Sequence, residues 1–212
     1  DYHARPSKRG GAWMSSFVDQ SHLRGTRPVM VNVMSLSSEL LTIDDVTTVF
    51  HEFGHALHGL LSDVRYPSLS GTNVPRDWVE FPSQINENYA FTPEIVRNYA
   101  LEDQVPEDID AFEAEALREV GLDVEGLEPR YRSSWFNHVF GGGYSAGYYS
   151  YLWAEALDAD GFELVQEVGI GREIGQRFRD TILSVGASKD YTEAYTAFRG
   201  RGKDTQPLLV RR

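Results

Sequence analysis

Val49-Phe50-His51-Glu52-Phe53-Gly54-His55-Ala56-Leu57-His58, read together with Trp78-Val79-Glu80, decides how this chain is understood. The string has the form H-E-x-x-H, and on a helix four residues is a little over one turn, so His51 and His55 share a face. Two imidazoles so placed grip one zinc ion. Glu52 falls on the neighbouring face, within reach of a water at the metal but outside its coordination sphere, as the general base of a hydrolase requires. The flanks predict the helix. Thr42-Ile43-Asp44-Asp45 is a capping box, and Val46, Val49, Phe50, Phe53, Leu57 and Leu60 recur at spacings of three and four. Gly54 in the interior of a helix costs about 1 kcal/mol relative to Ala, so another backbone is expected to pack against it.

A site of this kind needs a third protein ligand. In the extended pattern H-E-x-x-H-x-x-G-x-x-H the last two fixed positions would be Gly and His; here they are His58 and Leu61, so that class is excluded. His58 lies roughly 10 Å along the helix axis from His51, too far for both to bind one tetrahedral ion, and is expected in the core or as an outer hydrogen-bond partner. With no cysteine in the chain, the third ligand is expected to be a carboxylate on another helix. The turn-rich loop Ser70 to Asp77 leads into Trp78-Val79-Glu80-Phe81, with Asp77 as N-cap and the helix running to Ala90. Glu80 is the expected ligand. Glu87, two turns further, is placed to accept the outer N–H of a ligating histidine, and Asp77 competes for that role.

Beyond these residues, HEFGHALHG, SGTNVPRDWVEFPSQINEN and HVFGGGYSAGYYSYLW, in that order, resemble the thimet-oligopeptidase family of zinc metallopeptidases, most of all its bacterial peptidyl-dipeptidase branch. The likeness extends from DYHARPSKRGGAWMSSFVDQS at the start to FRGR near the end. It implies His51, His55 and Glu80 as ligands of one Zn2+ per chain and Glu52 as the base. It also implies Tyr148 as a transition-state tyrosine, with His138 beside it, and Tyr144 and Tyr151 as substrate contacts. From the residues alone, Tyr144, Tyr148 and Tyr151 lie at i, i+4 and i+7 after the Gly141-Gly142-Gly143 loop and are expected on one face of a helix, a spacing equally suited to core. The implied fold class is mainly α, a helical zincin-like metallopeptidase catalytic domain with a small β-sheet. The implied function is hydrolysis of short peptides with release of C-terminal dipeptides. An internal-cleaving oligopeptidase and a catalytically incomplete zinc- or peptide-binding fragment are the alternatives. Family members are longer, so residues 1–212 are expected to be a single catalytic domain, a C-terminal fragment of a longer helical peptidase. The 99–130 stretch is expected to be shorter than the family's connection there.

Composition sets the remaining bounds. The 212 residues are 41% hydrophobic and 12% aromatic, enough for a real core. A net charge of -12 argues against nucleic acid or an anionic membrane as partner, because both repel an acidic surface. No apolar run reaches the length of a membrane span. Absence of cysteine excludes disulfides and fits a cytoplasmic enzyme. Arg9-Gly10-Gly11-Ala12-Trp13 reads as the start of a loop. Arg27 to Met34, RPVMVNVM, alternates as a strand; in peptidases of this kind an edge strand beside the metal pairs with an extended substrate, and a plain buried strand is an equal expectation from the residues alone. Thr92-Pro93-Glu94 restarts a helix, and Glu102 to Glu119 reads as a solvated acidic helix. Further helices are expected at Trp153 to Asp158, Phe162 to Val168, Glu173 to Leu183 and Tyr191 to Arg199, with Gly-bearing turns between them; Arg177, Arg179 and Arg199 are expected on their faces, where any of them could meet a peptide carboxylate.

Overall fold

Helix α1, Ile43–Leu60, begins as its sequence requires: the Thr42 hydroxyl accepts from the Asp45 backbone N–H, and the Asp45 carboxylate accepts from the Thr42 N–H. The computed structural model describes residues 1–36, 41–99, 144 and 146–211. These form two compact units, Asp1–Phe91 with Tyr149–Arg212, and Thr92–Tyr148.

In the first unit, β1 (Trp13–Val18) and β2 (Val29–Val33) form an antiparallel pair, with Trp13 opposite Val33, Ser15 opposite Val31 and a bulge between Ser16 and Val18. The expected strand is present. Its outer side is covered only toward its end, where Met34 N–H donates to the Asp1 carbonyl and Leu36 N–H to the Tyr2 carbonyl, both at 2.9 Å. Its partner β1 is a strand that the sequence pattern does not announce. The sheet packs on α1 where the Met30 thioether fills the space a side chain at Gly59 would need.

The helix expected from Trp78 to Ala90 is broken. Its first part, α2 (Arg76–Val79), starts with Pro75 at the N-cap in place of Asp77, and α3 (Phe81–Ala90) follows after Glu80. The reason is Pro82, which has no N–H to donate back to Trp78 and occupies the first turn of α3, where no such bond is needed. Glu80 is thereby left at the junction between two helices. Downstream, α5 (Ser150–Val168) is continuous through Ala159-Asp160-Gly161, where a turn was expected. A Cβ at Gly161 would stand 3.2 Å from Ile85 Cδ1 and 3.3 Å from the Phe198 and Phe81 rings, so this glycine marks close packing inside a helix. α6 (Arg172–Phe178) runs into a π-helical turn at Arg179–Leu183, and α7 (Tyr191–Arg199) and α8 (Gln206–Arg211) complete the unit. Phe81, Ile85, Leu157, Val165, Ile182 and Phe198 fill the core between α3, α5, the π turn and α7.

Arg199 is not available to a peptide. It is buried on Asp160, Glu163 and Glu167, while Asp160, itself fully buried, also accepts from Tyr195, Arg201 and the Asp204 N–H. The second unit contains α4, Pro93–Tyr99, restarted at Pro93 as expected. It also contains Tyr144 and Tyr148, whose rings meet edge to face at 6.2 Å. These two tyrosines are not on a helix. Residues 146–149 form a turn, entered through Ala146 at a positive φ of 56°, and helix starts only at Ser150. A residue in that left-handed conformation cannot lie inside an α-helix, so the expected tyrosine stripe is interrupted. The Glu102 to Glu119 stretch, the 99–130 connection and His138 lie outside the described residues. No helix among the described residues is long and apolar enough to cross a membrane.

Candidate active site

The middle turns of α1 and the junction at Glu80 come together because α1 and α3 touch without a side chain between them. A Cβ built on Gly54 would stand 2.7 Å from Ser83 Cα and 2.8 Å from the Pro82 carbonyl oxygen. The expected backbone approach is there. Asn86 reinforces it by donating from Nδ2 to the Phe50 carbonyl at 2.6 Å. With α3 held this close, Glu80 Oε2 lies 3.2 Å from His51 Nε2 and 3.1 Å from His55 Nε2, and the two rings stand nearly perpendicular with centroids 4.8 Å apart.

That arrangement fits a zinc ion. Ligand atoms about 2.0–2.1 Å from a tetrahedral ion are separated from one another by roughly 3.3 Å. The two separations from Glu80 Oε2, 3.2 and 3.1 Å, match this, and the ligand atoms of the three residues all lie within 4.8 Å of one another. His51, with a carboxylate at each of its two ring nitrogens, needs a positive charge there, whether a second proton or a metal. Burial works to lower the pKa of His51, but its hydrogen bonds to the Glu80 and Glu87 carboxylates outweigh it and raise it to about 10. Burial likewise works to raise that of Glu80, yet the two histidines hold it well below the usual carboxylate range.

The surroundings orient this set. Glu87 Oε1 is 2.6 Å from His51 Nδ1, the contact expected for it, which fixes Nε2 toward Glu80. The Ser83 hydroxyl, 3.0 Å from Glu80 Oε2 and 2.9 Å from its carbonyl, steadies the carboxylate; it was not among the expected site residues, although Glu80, Ser83 and Asn86 recur at helical spacing. Asp77 does not take part. It faces a cavity of about 280 Å3 with Trp153, Tyr191 and Lys203. Glu52 is buried, and its Oε2 has no hydrogen-bond partner among the described residues. Burial raises its pKa, against the pull of His51 and His55. His58 is fully buried, and neither ring nitrogen has a partner among the described residues. Tyr148 is exposed and Tyr151 half-buried.

A helical pair of histidines and a carboxylate at the junction of two further helices form a group that could hold a metal ion, with a buried glutamate beside it in the sequence. The chain belongs to peptidase family M3, whose model matches residues 1–120 and 101–212. It is 44% identical to the dipeptidyl carboxypeptidase of Salmonella typhimurium, covering 99% of this chain and 38% of that protein. It is 42% identical to the dipeptidyl carboxypeptidase of Escherichia coli, covering 100% and 39%, and 35% identical to oligopeptidase A of Escherichia coli, covering 99% and 39%. The chain thus spans about two-fifths of the length of the curated relatives it matches. The first alignment extends over 261 residues against 212 in this chain, so that relative carries residues with no counterpart here.

Proposed function

We propose that this chain is the zinc-dependent catalytic domain, residues 1–212, of a longer peptidase that hydrolyses short peptides and releases dipeptides from their C termini. The convergence of His51 Nε2 and His55 Nε2 on Glu80 Oε2, with the buried Glu52 carboxyl group beside them, carries this reading. His51, His55 and Glu80 would hold one Zn2+. Zinc bound there supplies Lewis-acid polarisation of a carbonyl and lowers the pKa of a bound water to about 7. Glu52 takes the proton of the attacking water as its oxygen bonds to the carbonyl carbon, then gives that proton to the leaving nitrogen as the C–N bond breaks. Glu87 and Ser83 keep His51 and Glu80 in place throughout. Tyr148, with His138, would donate to the developing oxyanion, and Tyr144 and Tyr151 would contact the peptide. The family resemblance supports these four roles.

Dipeptide release is favoured over internal cleavage because the two dipeptidyl carboxypeptidases stand at 44% and 42% identity and oligopeptidase A at 35%. A cytoplasmic setting fits the cysteine-free composition and a relative described as a probable cytosolic oligopeptidase A. Zinc content and mass analysis of products from an N-blocked tetrapeptide test the proposal. One zinc per chain and a free C-terminal dipeptide are expected. Zinc with cuts only inside longer peptides would favour the oligopeptidase, and zinc without turnover the incomplete fragment.

A further inference from the structure

The two histidines of the candidate centre are held differently. His51 has Glu87 on its second nitrogen at 2.6 Å, whereas His55 Nδ1 is closed off from solvent and has no partner among the described residues. A cation on His55 Nε2 confines the ring proton to Nδ1, and a buried N–H needs an acceptor. Three residues on, His58 is 0% exposed with both nitrogens unpartnered among the described residues. Helical Cα–Cβ bonds tilt toward the N-terminus, so the His58 ring leans onto the turn that carries His55. Ser70 is 2% exposed, and its hydroxyl is likewise buried without a partner among the described residues. Its neighbour Gly71 packs on the same stretch of helix: a Cβ there would stand 2.8 Å from Gly59 Cα and 3.3 Å from the His58 carbonyl oxygen.

We propose that His58 is the positioning residue for His55, accepting its Nδ1–H when metal binds and donating its own remaining ring N–H to Ser70 Oγ. A neutral imidazole has one acceptor nitrogen and one N–H, so a single side chain serves both ends of this chain of hydrogen bonds. The three unpaired groups then satisfy one another, and the site acquires two fixed histidines in place of one. This inference rests on the zinc reading above.

The test is metal affinity, measured by chelator competition on the full chain, together with the visible spectrum of the cobalt(II) form. His58→Phe keeps the bulk and removes both hydrogen-bonding nitrogens; His58→Asn restores an acceptor and a donor in a smaller group. The expected result is zinc binding weakened about 10–100-fold in His58→Phe, the range for losing an outer partner of a ligand, with a shifted cobalt spectrum. Ser70→Ala is expected to give a smaller loss of the same kind, and His58→Asn a partial recovery. Should His58→Phe fail to fold, Ser70→Ala and His58→Asn carry the test. Unchanged affinity and spectrum in the folded variants overturn the role of His58 while the zinc reading stands. Failure of the unmodified chain to bind zinc overturns both.

Discussion

Replacing Gly54 by Ala tests whether backbone contact between α1 and α3 builds the site. In an exposed helix the change would gain about 1 kcal/mol from propensity. At Gly54 the new methyl group would meet Ser83 Cα at 2.7 Å, the Pro82 carbonyl oxygen at 2.8 Å and Asn86 Cβ at 3.0 Å. Two of these are backbone atoms that cannot rotate away, so α3 must retreat by roughly 0.7 Å to reach ordinary contact, an overpacking cost of about 1–3 kcal/mol. The net expectation, that cost less the propensity gain, is a loss of up to about 2 kcal/mol. Glu80 sits at the head of α3 and moves with it. Metal sites tolerate displacements of about 0.2 Å, so zinc affinity is expected to fall at least about tenfold. Denaturant unfolding of the metal-free protein and chelator competition measure the two effects. Gly175, inside α6, is the control: a Cβ there would meet nothing within 4 Å, and Gly175→Ala is expected to be stabilising by up to about 1 kcal/mol. A Gly54→Ala protein as stable as its parent, with unchanged zinc affinity, would refute the close-contact account.

Two further outcomes follow from charge. In the metal-free protein His51 is raised to about 10, so its pairing with Glu80 and Glu87 contributes fully below the unfolded pKa of about 6.5 and is lost as pH rises from there to about 10. Zinc must displace that proton, so apparent zinc affinity is expected to increase with pH over the same interval, with protons released on binding; a flat profile in chelator competition would contradict this. Asp160→Asn removes the charge that Arg199 and Arg201 share; Arg199 keeps Glu163 and Glu167, so the expected loss is about 1.5–3 kcal/mol, that of a hydrogen bond to a charged group, read by denaturant unfolding, and a change within about 0.5 kcal/mol would show the cluster to be incidental.

Much of the site is legible in the sequence because its signals are local. The capping box at Thr42, the apolar period of α1 and the glycine at position 54 each speak within one turn, and together they place His51, Glu52, His55 and the close neighbour α3. Glu80 and Glu87 follow from the need for a carboxylate and an outer acceptor on one further helix. What escapes depends on partners distant in sequence or on one backbone angle. Pro82 reads as tolerable within a single helix, but it ends α2 and sets Glu80 at a junction. Gly161 resembles a turn because the Phe81, Ile85 and Phe198 side chains that crowd it come from α3 and α7. β1 is hidden because Ser15, Ser16, Phe17 and Val18 remain exposed, leaving no buried face to read. The positive φ at Ala146 separates Tyr148 from the helix, and no residue preference announces it.

The central claim is that Glu52 performs the proton transfer at a zinc centre made by its neighbours. Glu52→Gln keeps the size of the side chain and removes its basicity. Zinc content and turnover of a quenched-fluorescent peptide, measured together on both proteins, decide the matter. The account predicts one zinc per chain in each and turnover reduced about 10²–10⁴-fold in the variant. Full turnover in Glu52→Gln, or no zinc in the unmodified chain, would contradict it.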